Sequence, residues 1–166
     1  MYINIRKWQI EDLDDLVYYA NNKNIADNLA DEFPYPYTAE SGQQFIQRVA
    51  SDDPTKIFAI TIDNKAIGSI GIFPESGTHR KNAAIAYWVA EPFWGRGIAA
   101  KAIKLIIEYG LRTFNITRIY AKPYSSSLRS HRVLEKTGFK LEAIIKDGIF
   151  KNGKYLDELI YAYTNK

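Results

Sequence analysis

The chain has 166 residues, 46% apolar and 25% charged, with a formal net charge of +3, a composition that fits one average globular domain over residues 1–166. It has no cysteine and only two histidines, His79 and His131, which excludes disulfides, thiolate metal sites and a cysteine nucleophile and leaves little basis for any metal centre. There is no apolar run of about 18 residues, which a membrane span would need, and "MYINIRKW" lacks the basic-then-apolar order of a signal peptide, so a cytoplasmic, membrane-free protein is expected.

The elements follow in chain order. "INIRKW" alternates as a first strand, and "EDLDDLVYYANN" starts acidic and continues as a helix with Leu13, Leu16, Val17 and Ala20 on one face. Pro34 and Pro36 exclude regular structure from "DEFPYPYT". Thr38 then has the character of an N-cap for "AESGQQFIQRVAS". "KIFAITID" and "AIGSIGIF" read as strands joined at Asp63-Asn64-Lys65, and "NAAIAYWVA" as an apolar strand central in the sheet. A helix from about Gly97 to Arg112 and the strand "RIYAK" complete a βαβ unit with parallel strands. "SSLRSHRVLEKTGF" is a short helix ending at Gly138. "LEAIIKDGIF" and "KYLDELIYAYT" close the chain as a hairpin turning at Asn152-Gly153, with Asp147-Gly148 read as a bulge. The fold class is mixed α/β.

Charge is unevenly spread. Residues 1–63 carry 5 Lys/Arg against 11 Asp/Glu, and residues 64–166 carry 17 against 8. Two readings stand: an ordinary solvated surface, or two ligands of opposite sign, with an anion on the C-terminal half and a cation facing the N-terminal half. The basic residues form no dense stripe, so nucleic acid is not an expected partner.

The most informative stretch is "AYWVAEPFWGRGIAAKAI", residues 86–103. The first N–H groups of a helix lack intrahelical partners and carry partial positive charge. Gly95 and Gly97 clear the approach to them, Ala99 and Ala100 keep the first turn small, and Arg96 adds a cation. Read alone, the glycine pair is either a plain turn or an anion site. It is neither G-x-x-x-x-G-K-[ST], since Ala102 follows Lys101, nor G-x-G-x-x-G.

"WGRGIA" after "YWVAEPF" resembles the acetyl-CoA pyrophosphate loop of the GNAT N-acetyltransferases, Q/R-x-x-G-x-G/A, with Trp94 in the Gln/Arg place, Gly97 the glycine and Ala99 the last small residue. The tryptophan is similar to the branch of ribosomal-protein N-terminal (alanine and serine) acetyltransferases. "SLRSHRVLEKTGFKLE" resembles that branch's second motif, "FPYPYT" its substrate-side loop and "FKNGKYLDELIYA" its closing hairpin. The resemblance implies an acyl-CoA N-acyltransferase fold: a mostly antiparallel sheet with one splayed parallel strand pair and helices on both faces. Acetyl-CoA would lie in the splay along Trp88, Val89 and Ala90. Its pyrophosphate would rest on the N–H groups of Gly95, Arg96, Gly97, Ile98, Ala99 and Ala100, and a bulge near Tyr87-Trp88 would free an N–H to polarise the thioester. Ser127 and Ser130 would also meet the cofactor, as would one or more of Arg129, Arg132 and Lys136, and no metal is implied.

The implied reaction is direct attack of a primary amine on the thioester. The resemblance leaves Leu134 where many relatives carry a tyrosine acid, so Ser130 is the remaining donor to the thiolate. Ser127 stands in place of an asparagine, and Ala84 in place of the branch's strand glutamate. Replacement bases are Glu32, the first choice beside the proline loop, then Glu75, Asp147 and Asp157. Phe33, Tyr35 and Tyr37 would wall the acceptor site; His131 is expected to face solvent and His79 to lie in a turn. The acceptor is a protein N-terminal α-amine, a polyamine, an amino-sugar antibiotic or an amino-acid derivative. A non-catalytic acetyl-CoA-binding domain is the other class, and monomer and homodimer both stand.

Overall fold

A computed structural model describes residues 1–166. Its centre is a seven-stranded sheet in the order β1-β2-β3-β4-β5-β7-β6. The strands are β1 (Ile3–Lys7), β2 (Ile57–Ile62), β3 (Lys65–Pro74), β4 (Asn82–Val89), β5 (Arg118–Ala121), β6 (Lys140–Lys151) and β7 (Lys154–Thr164). All neighbours are antiparallel except β4 and β5. The helices are α1 (Leu13–Ala20), α2 (Lys23–Ala26), α3 (Ala39–Ala50), α4 (Ile98–Thr113) and α5 (Leu128–Lys136).

Local chemistry sets most of the boundaries. Thr38 caps α3, its hydroxyl accepting the Ser41 N–H at 3.1 Å. Asp63 and Asn64 take φ of 47° and 71° in the β2–β3 turn, and Asn152-Gly153 take 53° and 74° in the β6–β7 turn, as two-residue hairpin loops favour. Gly138, at φ 98°, ends α5. There the Phe139 N–H reaches the Leu134 carbonyl and the Gly138 N–H the Glu135 carbonyl, a complete Schellman closure. Asp147, at φ 53°, does form a bulge, the register slipping between Ile145 and Ile149.

Each face of the sheet has its own core. On one side α4 lays Ile98, Ile103, Ile106 and Ile107 against Ile60, Ile70 and Ile72, with Leu134 of α5 in the same cluster. On the other, Trp8, Leu16, Ile46 and Val49 pack against Ala59 and Ala66 under α1 and α3. Alternation along β2 serves both, Phe58 and Ile60 on one face and Ala59 on the other.

The parallel pair is short: Asn82–Arg118, Ala83–Ile119 and Ala84–Tyr120, and then no further pairing. Beyond it β5 stays with β7, and the chain keeps that company past the strand: Leu159 N–H reaches the Pro123 carbonyl at 2.9 Å and Ser125 N–H that of Asp157 at 2.8 Å. β4 keeps to β3, in unbroken register from Pro74–Ala83 to Gly68–Val89. The expected bulge at Tyr87-Trp88 is therefore absent. Backbone groups are freed there because β5 departs, not because β4 is irregular. Asn82 and Ala90 bond toward β3, so alternation turns the backbone groups of Tyr87 and Val89 to the opened edge.

Close approach of β3 to β4 depends on Gly68, where a Cβ would overlap the Trp88 carbonyl oxygen. Gly68→Ala is expected to lower unfolding free energy by about 1–3 kcal/mol, read from the denaturant midpoint.

Candidate active site

The splay opens into a cavity of about 450 Å³ between β4, the start of α4 and one face of α5. Its mouth is the loop before α4. Gly95 and Gly97 have φ of 78° and 75°, Gly97 is the left-handed residue that starts the helix, and a Cβ at either would meet nothing within 4 Å. The glycines thus supply a backbone conformation that other residues adopt only with strain, and they leave the first N–H groups of α4 uncovered.

Trp94, just before them, donates its indole N–H to the Val89 carbonyl at 2.7 Å. The Arg129 guanidinium lies 4.2 Å from the centre of the Trp94 ring, a close cation–π contact. Arg129, Arg132 and Lys136 all line the cavity from α5. Their spacing of three and four residues keeps them on one helix face. Three cations and a bared helix N-terminus thus frame one opening.

Of the residues expected from sequence to hold the cofactor, Trp88, Val89, Gly95, Gly97, Ile98, Ala99, Ala100, Ser127 and Ser130 line this cavity. Ala90 does not: it is fully buried, with its N–H on the Ile67 carbonyl of β3. Arg96 does not line it either, its guanidinium lying over the Phe93 ring at 5.5 Å from the centroid.

A smaller cavity of about 100 Å³ adjoins the first. Asn28, Leu29, Tyr87, Ser127 and Ser130 line both. Ser127, at the N-cap of α5, uses its side chain to donate to the Ser130 hydroxyl at 3.0 Å, leaving Ser130 its own proton to give. The Tyr87 hydroxyl is buried without a partner. Burial raises its pKa, and the neighbouring Ser130 hydroxyl counters part of that rise.

The acceptor side differs from expectation. Tyr37 is a core residue, its ring tilted against Phe33 at 5.3 Å and, through burial, with its pKa pushed up to about 12. Phe33 is half-buried and lies 6.0 Å from Trp88, while Tyr35 is exposed. His131 does not face solvent; its Nε2 is 3.0 Å from the Tyr124 carbonyl and its ring lies against Tyr161. His79 sits in an exposed turn.

Two of the four candidate bases are held by local partners. Glu75 accepts the Tyr120 hydroxyl at 2.7 Å, and Asp157 accepts the Asp147 N–H at the bulge at 2.9 Å, so these have local structural duties. Glu32 is exposed, and with Asp31 and Glu158 it raises the pKa of Tyr124, after burial as the first cause.

Two features escaped the sequence reading. Asn24, Ile25, Asn28 and Leu29, on α2 and just after it, cover the large cavity. Glu91 holds this cover, accepting from Asn22 at 2.9 Å and Asn24 at 3.0 Å, and those bonds lower its pKa. The N-cap Asn22 was the available signal, its side chain accepting the Asn24 N–H. Glu158 was the second: half-buried on β7 and bridged to Tyr124.

A splayed parallel pair beside a glycine-bared helix N-terminus defines the acyl-CoA N-acyltransferase fold. The sequence model of the acetyltransferase (GNAT) domain matches residues 3–140, and the chain belongs to that family. It is thereby an N-acetyltransferase. It is 28% identical over 160 residues to the uncharacterised N-acetyltransferase YnaD of Bacillus subtilis, covering 95% of this chain and 91% of that one. Spermidine N(1)-acetyltransferase of Escherichia coli is 23% identical, with 92% and 81% covered. Among solved structures, RimL, a ribosomal L7/L12 alpha-N-protein acetyltransferase in complex with coenzyme A, superposes with a TM-score of 0.85 at 23% identity, covering 98% and 94%. At that identity the superposition speaks for the fold.

Gly97→Val forces a side chain into the left-handed region at a cost of about 1–2 kcal/mol and covers the bared N–H groups. We expect the dissociation constant for coenzyme A, measured by calorimetry, to rise about tenfold or more.

Proposed function

We propose that this chain transfers the acetyl group of acetyl-CoA to a primary amine, with a protein N-terminal α-amine as the acceptor. The observation that carries the reading is the bared start of α4 opening into a cavity whose far wall is the unpaired edge of β4. Donor chemistry fits these residues. The N–H groups of residues 95–100 are electrically suited to a pyrophosphate, and Arg129, Arg132 and Lys136 to a further phosphate. The unpaired Tyr87 and Val89 backbone edge suits an amide-bearing arm. Thioester carbon chemistry belongs to the bound donor; this chain supplies position and hydrogen bonds.

Positioning is the larger contribution, since well-oriented reactants reach effective molarities of about 10⁵ M or more. Ser130 lines both cavities, and its hydroxyl is the donor for a thiolate departing there. An α-amine has a reference pKa of about 8, so a neutral fraction exists at physiological pH. The carboxylates of Glu32 and Glu158 lie on the acceptor side, around Tyr124, and receive the amine's proton through water. Glu158 is the better placed, being half-buried on a strand where Glu32 is exposed on a turn.

Resemblance of the Trp94 loop and of "SLRSHRVLEKTGFKLE" to the N-terminal acetyltransferase branch supports the protein N-terminus. A second reading, a polyamine acceptor, is favoured by the acidic trio Asp31, Glu32 and Glu158 around Tyr124. Thiol release from acetyl-CoA across peptides with Ser, Ala or Met N-termini, polyamines and amino-sugar antibiotics separates the two, with a no-amine blank. Release with Ser or Ala peptides is expected; turnover of polyamines alone transfers the assignment, and silence throughout with confirmed cofactor binding makes the chain a binding domain. Glu158→Gln is expected to lower kcat/KM about 10²-fold, and Glu32→Gln less than about threefold. The reverse order would make Glu32 the base.

A further inference from the structure

Lys122 is the one charged side chain lining the smaller cavity. It follows β5 directly, where the parallel seam has ended. Ala84 pairs with Tyr120, so an unbroken seam would have set Ala86 beside Lys122; with the strands parted, both line the opening and both are exposed. Alternation sends Ile85, Ile119 and Ala121 into the core with α4 and Leu134. It turns Ala86 and Lys122 to the opposite face, the face on which Phe33 meets Trp88. The donor-side cations Arg129, Arg132 and Lys136 line the large cavity, and Lys122 does not. Its charge therefore addresses what enters from the acceptor face. The ammonium is steadied there without being neutralised. Its nitrogen lies 5.6 Å from the centre of the Tyr120 ring, and it belongs to none of the ion pairs of the molecule. Arg118, over the same ring, is by contrast paired with Glu142.

We propose that Lys122 takes a carboxylate of the acceptor, so that the preferred acceptor is a peptide whose N-terminal residue is followed by an acidic one. The inference rests on the N-terminal acceptor reading above and narrows it. The smaller cavity measures only about 100 Å³ and has Ser127 and Ser130 on its wall with Lys122. An anion that reaches Lys122 therefore belongs to the residue next to the reacting amine, one extended residue spanning about 3.5 Å. Asp31, Glu32 and Glu158 gather around Tyr124, two residues further along the chain. Unlike charges so close together give the opening a direction, with the ammonium toward the carboxylates and the acceptor's own carboxylate toward Lys122. A polyamine has no group for Lys122 and brings a second cation against it.

The test is thiol release from acetyl-CoA with amidated peptides that begin Ser-Asp, Ser-Asn or Ser-Lys and are otherwise identical. The wild type is expected to favour Ser-Asp over Ser-Asn about fivefold in kcat/KM, which is what one exposed charge pair can supply. The difference should lie in KM, with Ser-Lys the poorest of the three. Lys122→Gln is expected to bring Ser-Asp and Ser-Asn to parity, and Lys122→Glu to put Ser-Lys first. In both variants the dissociation constant for coenzyme A should move less than about twofold. Equal use of Ser-Asp and Ser-Asn by the wild type overturns the proposal and leaves N-terminal acetylation standing, as does a preference that survives Lys122→Gln. A larger change in coenzyme A affinity overturns it too, by moving Lys122 to the donor side. If no peptide releases thiol above the no-amine blank, the N-terminal reading itself falls and takes this proposal with it.

Discussion

β4 and β5 share three residue pairs and then separate, and the active site is a consequence of where each strand's hydrogen bonds go next. β7 holds the chain beyond β5 through Pro123 and Ser125, while β3 holds β4 to its end. Pro123 has no N–H to return to β4. Neither strand is distorted to make the gap. Two regular antiparallel ladders diverge from one parallel seam, and the seam's unmet backbone groups are left facing a cavity. Trp94 meets one of them, at the Val89 carbonyl. The others are what an extended, amide-bearing ligand can satisfy.

The same separation sets the electrostatics. It admits the N-terminus of α4 to the cavity and lets α5 present Arg129, Arg132 and Lys136 across from it. Trp94 occupies a position where related loops carry glutamine or arginine, and its solution is indirect. The indole fixes itself to β4 and then holds the Arg129 guanidinium on its face. The positive charge at the mouth is thus borrowed from another helix, which ties α5 to the phosphate loop.

Legibility in the sequence followed the range of the forces involved. Hairpin turns, the α3 cap, the α5 stop and the Asp147 bulge are local events written in a few adjacent residues, and their positions could be read directly. The glycine loop was legible for the same reason. Ala90 and Tyr37 were not, because whether a residue faces a cavity or a core depends on strand pairing and on a neighbouring sheet face. Asp157 and Glu158 show the limit most plainly. They are adjacent, so alternation directs them to opposite sides, and only the pairing of β7 with the chain near Tyr124 decides that Asp157 caps a bulge. His131 went astray similarly, since its partner, the Tyr124 carbonyl, belongs to a turn whose path is set by β7.

The tip of the β6–β7 hairpin is fastened far across the sequence. Lys151 pairs with Asp31 at 3.0 Å and Asn152 bonds to Asp27 at 2.8 Å. Between those two anchors run Asn28 and Leu29, which line both cavities. One short segment is therefore at once the cover of the donor chamber and the mooring of the hairpin. A displacement at either end is handed to the other. The cover of the donor chamber and the tip of the closing hairpin are thus one connected unit, so a substitution at Asp27 or Asp31 bears on both.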